Sequence, residues 1–218
     1  MTGIIQYADV GYLFEPAVFM QTLELFQRER QFGWDYDSLH LTRRIEFPWV
    51  ETQLSPQRED TILEAGSGKT MFGFNLAFKT KKVVCVDLDL GSISFLNNKY
   101  GSLKDQLPLG EFSAQIGDIL KLNFKDEYFD KVCCISTLEH LTHWEVYPAI
   151  NELLRVTKHG GKVVITMDVT TEASDFSFAN VNALVNQYGL KWTGPSTKAI
   201  FHADEVKFAI LLIRIDKE

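Results

Sequence analysis

Glu64–Ala65–Gly66–Ser67–Gly68–Lys69–Thr70 is the stretch on which the reading of this chain turns. It follows an apolar run, Thr61–Ala65, and opens a helix-compatible segment, Phe72–Phe78. Glycine lets a backbone turn sharply and approach a ligand closely. The start of the following helix offers N–H groups without intrahelical partners. Working outward, further strand-like runs occur at Lys82–Asp87, Phe112–Ile116, Lys131–Ser136 and Lys162–Met167. Helix-compatible stretches separate them, among them Ser92–Tyr100 and Trp144–Val156. The basic turn and glycines of Lys158–His159–Gly160–Gly161 read as a helix stop. Such alternation predicts a mostly parallel sheet with helices on both faces. Two closing runs, Leu190–Thr193 and Lys207–Ile215, leave no room for a helix between them and are expected to pair antiparallel at one edge.

The first 59 residues have another texture. They are rich in aromatics, including Tyr7, Tyr12, Trp34 and Trp49, and poor in β-branched runs. Pro16 suits a first helical turn, and Val18, Phe19, Leu23 and Phe26 follow helical spacing to about Arg30. A second helix is expected over 49–54, after Pro48, with a loop around 32–41. The segment reads as an N-terminal helical cap (1–59) packed on a core domain (60–218). Its aromatics either wall a pocket or fill a helical layer.

Composition narrows the function classes. The chain has 218 residues, 45% of them hydrophobic, ample for a packed core. Lys plus Arg number 22 against 29 Asp plus Glu, a net charge of −7. That disfavours nucleic acid, whose phosphates call for clustered cations. The three cysteines, Cys85, Cys133 and Cys134, lie in apolar runs and read as buried thiols in a reducing compartment. Adjacent Cys133 and Cys134 should face opposite sides of a strand. There is no signal-peptide pattern at Met1–Gln6, and the longest apolar run, Phe208–Ile213, is too short to span a bilayer. A soluble cytoplasmic protein, monomer or homodimer, is expected.

Gly68–Lys69–Thr70 suggests the phosphate loop of nucleotide triphosphatases. That pattern needs a glycine five residues before Gly68, where this chain has Leu63. The dinucleotide fingerprint Gly-x-Gly-x-x-Gly fits at Gly66 and Gly68 but has Met71 in the third place. Asp87, 19 residues after Gly68, stands where a ribose-binding carboxylate would, but that residue serves any adenosine-binding α/β protein.

A third pattern, acidic-x-Gly-x-Gly, is met by Glu64, Gly66 and Gly68, and four more stretches follow it in order. They are Val83–Val84–Cys85–Val86–Asp87; Ile116–Gly117–Asp118–Ile119; Phe129–Asp130–Lys131–Val132 leading to Ser136–Thr137–Leu138–Glu139–His140–Leu141; and 154–166, from Leu154–Arg155 to Ile165–Thr166. With them the chain resembles the class I S-adenosylmethionine-dependent methyltransferases, over about residues 60–168. The last two stretches resemble the small-molecule, type 11-like branch. Thr70 stands where the family often has a third glycine, and His159 where it usually has proline. The resemblance implies a Rossmann-like, doubly wound, mostly parallel seven-stranded sheet with an antiparallel C-terminal edge strand.

It also implies the site. Glu64 would meet the methionine ammonium, and Gly66, Ser67 and Gly68 would pass the backbone along the methionine and ribose. Asp87 would take the ribose hydroxyls, with Leu88 beside it and Asp89 the more natural helix cap. Asp118 would accept from the adenine amino group, with the Ile119 N–H facing the ring and Ser136 at the end of the central strand. Methyl transfer from a sulfonium rests mainly on alignment. His140 is the candidate general base for a hydroxyl acceptor, or else part of the pocket wall. His140 and His143 make a weak metal pair, and no metal is expected. Arg43 and Arg44 either bind an anionic group or are a solvated pair. The Asn/Asp-Pro-Pro-aromatic motif of base-nitrogen methylases is absent after the central strand. The expectation is therefore methyl transfer from S-adenosylmethionine to oxygen, nitrogen or carbon of a small molecule, with no nucleic acid or membrane partner. The alternatives are a non-catalytic protein of the same fold and, more remotely, a P-loop-like nucleotide binder.

Overall fold

The computed structural model describes residues 1–8, 16–33, 42–169, 178–192 and 209–218. The strands are β1 (Thr2–Ala8), β2 (Thr61–Ala65), β3 (Lys82–Asp87), β4 (Glu111–Ile116), β5 (Phe129–Ile135), β6 (Thr157–Val169), β7 (Leu190–Trp192) and β8 (Ala209–Asp216). The helices are α1 (Pro16–Gln31), α2 (Arg43–Leu54), α3 (Phe72–Lys79), α4 (Leu90–Leu103), α5 (His143–Val156) and α6 (Phe178–Tyr188), with a 3-10 turn at Leu138–His140. Among the described residues the strands form one sheet in the order β4-β3-β2-β5-β6-β8-β1-β7. Strands β4 to β6 are mutually parallel, β8 runs antiparallel to both β6 and β1, and β7 is parallel to β1.

Period-two side-chain alternation divides the core into two layers. Leu63, Ala65, Val84, Val86 and Cys134 face one cluster, with α5 and α6 packed over it. Ile62, Val83, Cys85 and Cys133 face the other, under α1 to α4. Cys133 and Cys134 thus point to opposite faces, and all three thiols are free and buried. The chain passes from β2 outward to β3 and β4, then returns to β5 on the other side of β2. Such a reversal leaves a crevice beyond the C-terminal ends of the two central strands, the usual ligand position in open α/β sheets.

Four expectations need correction. Among the described residues the sheet has eight strands, because Thr2–Ala8, assigned to the cap, pairs along its whole length with β8. Strand β8 is not an edge: it is enclosed by β6 and β1, while β7 joins β1 instead of β8. Helix α2 begins at Arg43 and carries Pro48 inside it. A proline there removes one backbone donor, but seven residues of this helix, from Ile45 to Leu54, are buried and their packing outweighs the loss. Helix α5 ends at Val156, and Gly160–Gly161 lie within β6. A Cβ at Gly161 would stand 2.5 Å from the Asp130 carbonyl oxygen, so this glycine serves a close strand approach. Tyr12, Trp34 and the segment between the two closing runs lie outside the described residues.

Candidate functional site

The β2–α3 loop sits at the reversal point. Gly66 and Gly68 both have positive φ, 74° and 53°, a region that favours glycine. Their reasons differ. A Cβ on Gly66 would lie 2.3 Å from Thr137 Oγ1, whereas one on Gly68 would meet open space. Gly66 is therefore demanded by packing against the end of β5, and Gly68 by the turn and the free space beside it. Leu63 is buried within β2, so the loop has the short form and not the longer phosphate-wrapping one.

The loop opens on a cavity of about 280 Å³ whose lining includes Glu64, Gly66, Ser67, Gly68, Asp87, Ser136 and His140. Seven of the ten residues expected from the sequence are thus brought together. Leu88, Asp118 and Ile119 are not in that lining. Leu88 stands exposed just beyond Asp87, and Ile119 is buried in the core. Asp118 Oδ1 accepts the Leu120 N–H in its own turn, 2.9 Å away. Its strand neighbours β3, with Ile116 opposite Asp87 in register, so Asp118 follows on the same rim.

Asp87 Oδ2 accepts the Gly68 N–H and Oδ1 the Asp89 N–H, both at 2.8 Å. It braces the loop and keeps a free lone-pair direction on each oxygen. Asp89 caps α4, accepting from Gly91 N and Ser92 N. Those bonds and the Ser92 hydroxyl hold its carboxyl below the usual range. The choice of Asp87 over Asp89 for a ligand is consistent with this division of labour.

Glu64 is 2% exposed at the end of β2. Burial pushes its carboxyl up to about 7, only partly opposed by hydrogen bonds from Cys85 and Thr70. The Cys85 thiol donates to Oε2 at 3.3 Å, and burial beside this carboxylate pushes the thiol well up. A buried carboxylate that opens onto a cavity, with the Arg43 charge opposing only a small part of its burial, is suited to a ligand ammonium. That observation tests whether S-adenosylmethionine fits, and the residues present do fit it.

Sequence reasoning missed Phe47 and Ile135 in the wall; Arg43, read as either an anion binder or a solvated residue, also lines it, as do Thr70 and Thr137. Behind them Glu46, wholly buried, accepts from Ser136 Oγ at 2.6 Å, from Thr166 Oγ1 and from Arg43 Nη1. The only available signal was the Arg43–Glu46 spacing of one helical turn, hidden because Pro48 pointed to a later helix start. Trp49 is a core residue, 4% exposed. His140 is exposed, with its backbone N–H on the Thr137 carbonyl. A second hollow of about 330 Å³ lies at the far end of α2, where Glu51 is shared by Arg28 and Lys79 and their charges satisfy one another.

Comparison with known proteins agrees with this geometry. Residues 63–165 match the family model described as "Methyltransferase domain". A demethylmenaquinone methyltransferase of Streptomyces griseus is 35% identical over 118 residues, 54% of this chain and 44% of that protein. A probable ribosomal RNA small subunit methyltransferase A of Methanosarcina acetivorans is 37% identical over 97 residues, 44% of this chain and 32% of that protein. The chain spans less than half the length of these curated relatives. Among solved structures, a geranyl diphosphate C-methyltransferase from Streptomyces coelicolor, in complex with S-adenosyl-L-homocysteine, shares the fold. Its TM-score is 0.60 at 14% identity, over 82% of this chain and 80% of that one. No helix among the described residues is long and apolar enough to cross a membrane. The matched segment runs from within β2 into β6 and includes strands that build the cavity, so over residues 63–165 the chain is similar to the methyltransferase-domain family, on a fold shared with a solved methyltransferase.

Proposed function

We propose that this protein transfers a methyl group from S-adenosylmethionine to an oxygen, nitrogen or carbon of a small-molecule acceptor. The observation that carries the reading is the convergence of Glu64, the Gly66–Gly68 loop and Asp87 on one cavity at the sheet's reversal point. Glu64 binds the methionine ammonium. The Gly66–Gly68 backbone runs along the thioether side, and Asp87 takes the ribose hydroxyls. Leu88 covers one adenine face, Asp118 and the Ile119 N–H address the adenine edge, and Ser136 closes the methionine end. S-adenosylmethionine, when bound, supplies an activated methyl on sulfur with a neutral leaving group. The chain's own task is then to hold that methyl in line with the acceptor and to exclude water. Where the acceptor is a hydroxyl, His140 at the exposed rim takes its proton.

An acidic chain of net charge −7 suits a small acceptor better than RNA. The test is methyl transfer from isotope-labelled S-adenosylmethionine to a metabolite panel, hydroxylated quinols included, with tRNA and ribosomal RNA in parallel. Label on a small molecule is the expected result; label on RNA alone overturns the acceptor class. If His140 is the base, His140→Ala lowers kcat for a hydroxyl acceptor at least about a hundredfold with little change in KM. A severalfold effect assigns it to the wall.

A further inference from the structure

Far from the glycine loop, one ion pair on α5 grips the connection between β4 and β5. That connection, residues 117–128, carries Asp118 and Ile119, and Asp118 is exposed outside the cavity lining. Its start is a closed turn. Asp118 Oδ1 accepts the Leu120 N–H at 2.9 Å, and the Asp118 carbonyl accepts the Lys121 N–H at 3.0 Å. On one side the Gly117 N–H donates to the Asp87 carbonyl at 3.1 Å and ties the turn to β3. On the other side Leu122 gives both of its backbone groups to side chains of α5. Its N–H donates to Glu152 Oε1 at 2.8 Å, and its carbonyl accepts from Arg155 Nη2 at 3.0 Å. Arg155 Nη1 also donates to the Phe124 carbonyl at 2.9 Å and to Asp126 at 2.6 Å. Glu152 and Arg155 hold each other through two bonds of 2.7 Å, a planar fork on a planar carboxylate. The Arg155 guanidinium keeps the Glu152 carboxyl below its usual range. Backbone groups drawn out of water need partners, and here a single ion pair supplies them.

We infer that Glu152 and Arg155 are positioning residues for base recognition: from α5 they set where the Asp118–Ile119 turn stands over β3, and so how well the site tells adenine from another purine. The inference rests on the proposed reading in which Asp118 and the Ile119 N–H address the adenine edge. Reading a base edge needs directed hydrogen bonds, which weaken steeply as they bend. Ile119 and Leu122 anchor the turn by burial, at 6% and 4% exposure. Burial is non-directional: it keeps these side chains in the core without fixing the backbone angle between them. The fork of Arg155 and the carboxylate of Glu152 supply that direction, because they take the N–H and the carbonyl of one residue from one rigid helix. With them removed, the turn is held to the sheet by Gly117 alone on its β3 side. In the competing account the two apolar anchors fix the turn by themselves, and the ion pair adds stability only.

The experiment reads base recognition apart from stability. S-adenosylhomocysteine presents a 6-amino donor and an N1 acceptor; S-inosylhomocysteine presents a 6-oxo acceptor and an N1–H donor and is otherwise the same. Calorimetry gives the ratio of the two dissociation constants within each preparation, so a general loss of folded protein cancels. Wild type is expected to favour S-adenosylhomocysteine about tenfold or more, the size of a charged hydrogen bond. Arg155→Met and Glu152→Ala should each lower that preference at least about threefold. Glu152→Gln keeps an acceptor for the Leu122 N–H and should recover most of it, whereas Arg155→Lys keeps the charge without the fork and should not. Glu152→Ala leaves Arg155 its bonds to Leu122, Phe124 and Asp126, so a folded protein remains to be measured. A preference that stays at the wild-type value in Arg155→Met and Glu152→Ala, while their melting temperatures fall, overturns the positioning role and leaves the proposed function standing. A wild type that binds both compounds equally overturns the adenine-edge contact and this inference with it. A wild type that binds neither overturns the proposed function itself.

Discussion

At the residue scale the site is a set of carboxylates given different work by their surroundings. Glu64 is buried and neutral-leaning, Asp87 is a half-exposed brace, and Asp89 is a helix cap. The Glu64 carboxyl sits at about 7 in the folded protein against an ordinary 4.5. The unfolded chain ionises above about 4.5, whereas the folded site keeps its proton to about 7. Folding stability from this group is therefore fully present at low pH and falls as pH rises through that window. Glu64→Gln should raise the melting temperature of the ligand-free protein at about pH 8 and change it little at about pH 4.5, as thermal scans at both pH values would show. The same substitution should weaken S-adenosylhomocysteine, and wild-type affinity should climb with pH toward 7 as the carboxylate forms. No stability gain at the higher pH would contradict the burial argument. Asp87→Ala should cost at least ~1.5 kcal/mol of ligand affinity, the size of a charged hydrogen bond. Asp89→Ala should cost about 1 kcal/mol of stability through the lost cap and leave binding intact.

At the element scale the two loop glycines separate packing from ligand approach. Gly66→Ala drives a Cβ into Thr137 and should destabilise the fold by several kcal/mol, seen as a large drop in urea midpoint. Gly68→Ala meets no protein atom, so its stability cost should stay near the roughly 1–2 kcal/mol of a left-handed alanine while ligand affinity falls. Equal stability losses would refute the distinction. Strands β2 and β3 and helix α3 were legible in the sequence almost to the residue, because strand alternation, a glycine turn and a helical stripe agree there. Helix α2 was misplaced because proline is a strong local stop and the burial that overrides it is tertiary. With it went Glu46, whose partners Ser136 and Thr166 lie 90 and 120 residues away, and the choice between the two readings of Arg43. Gly68, Asp87 and Glu64 were found because a local pattern places them; the Arg43 network has no local pattern.

At the scale of the whole molecule, strand β1 of the N-terminal segment is part of the sheet. Strand β1 escaped notice because its order comes from its partner: all seven of its residues pair with β8, near the other end of the chain. Gly3 shows how close that approach is, since a Cβ there would stand 2.0 Å from the Arg214 carbonyl oxygen. With β1 woven beside β8 and α1 and α2 in the same core layer as α3 and α4, the chain should not unfold in two stages. Urea transitions followed by tryptophan fluorescence, to which buried Trp49 contributes, and by far-ultraviolet circular dichroism should coincide. An early fluorescence transition would mean that residues before β2 melt as a separate cap. The cavity owes its place to the same topology, since the reversal between β2 and β5 brings Glu64, Asp87 and Ser136 to one rim. The most direct test of the account is therefore calorimetric titration of the intact chain with S-adenosylhomocysteine, with ATP and NAD as competitors. Saturable one-to-one binding that neither nucleotide displaces is the predicted result, and a folded protein that ignores S-adenosylhomocysteine would contradict it.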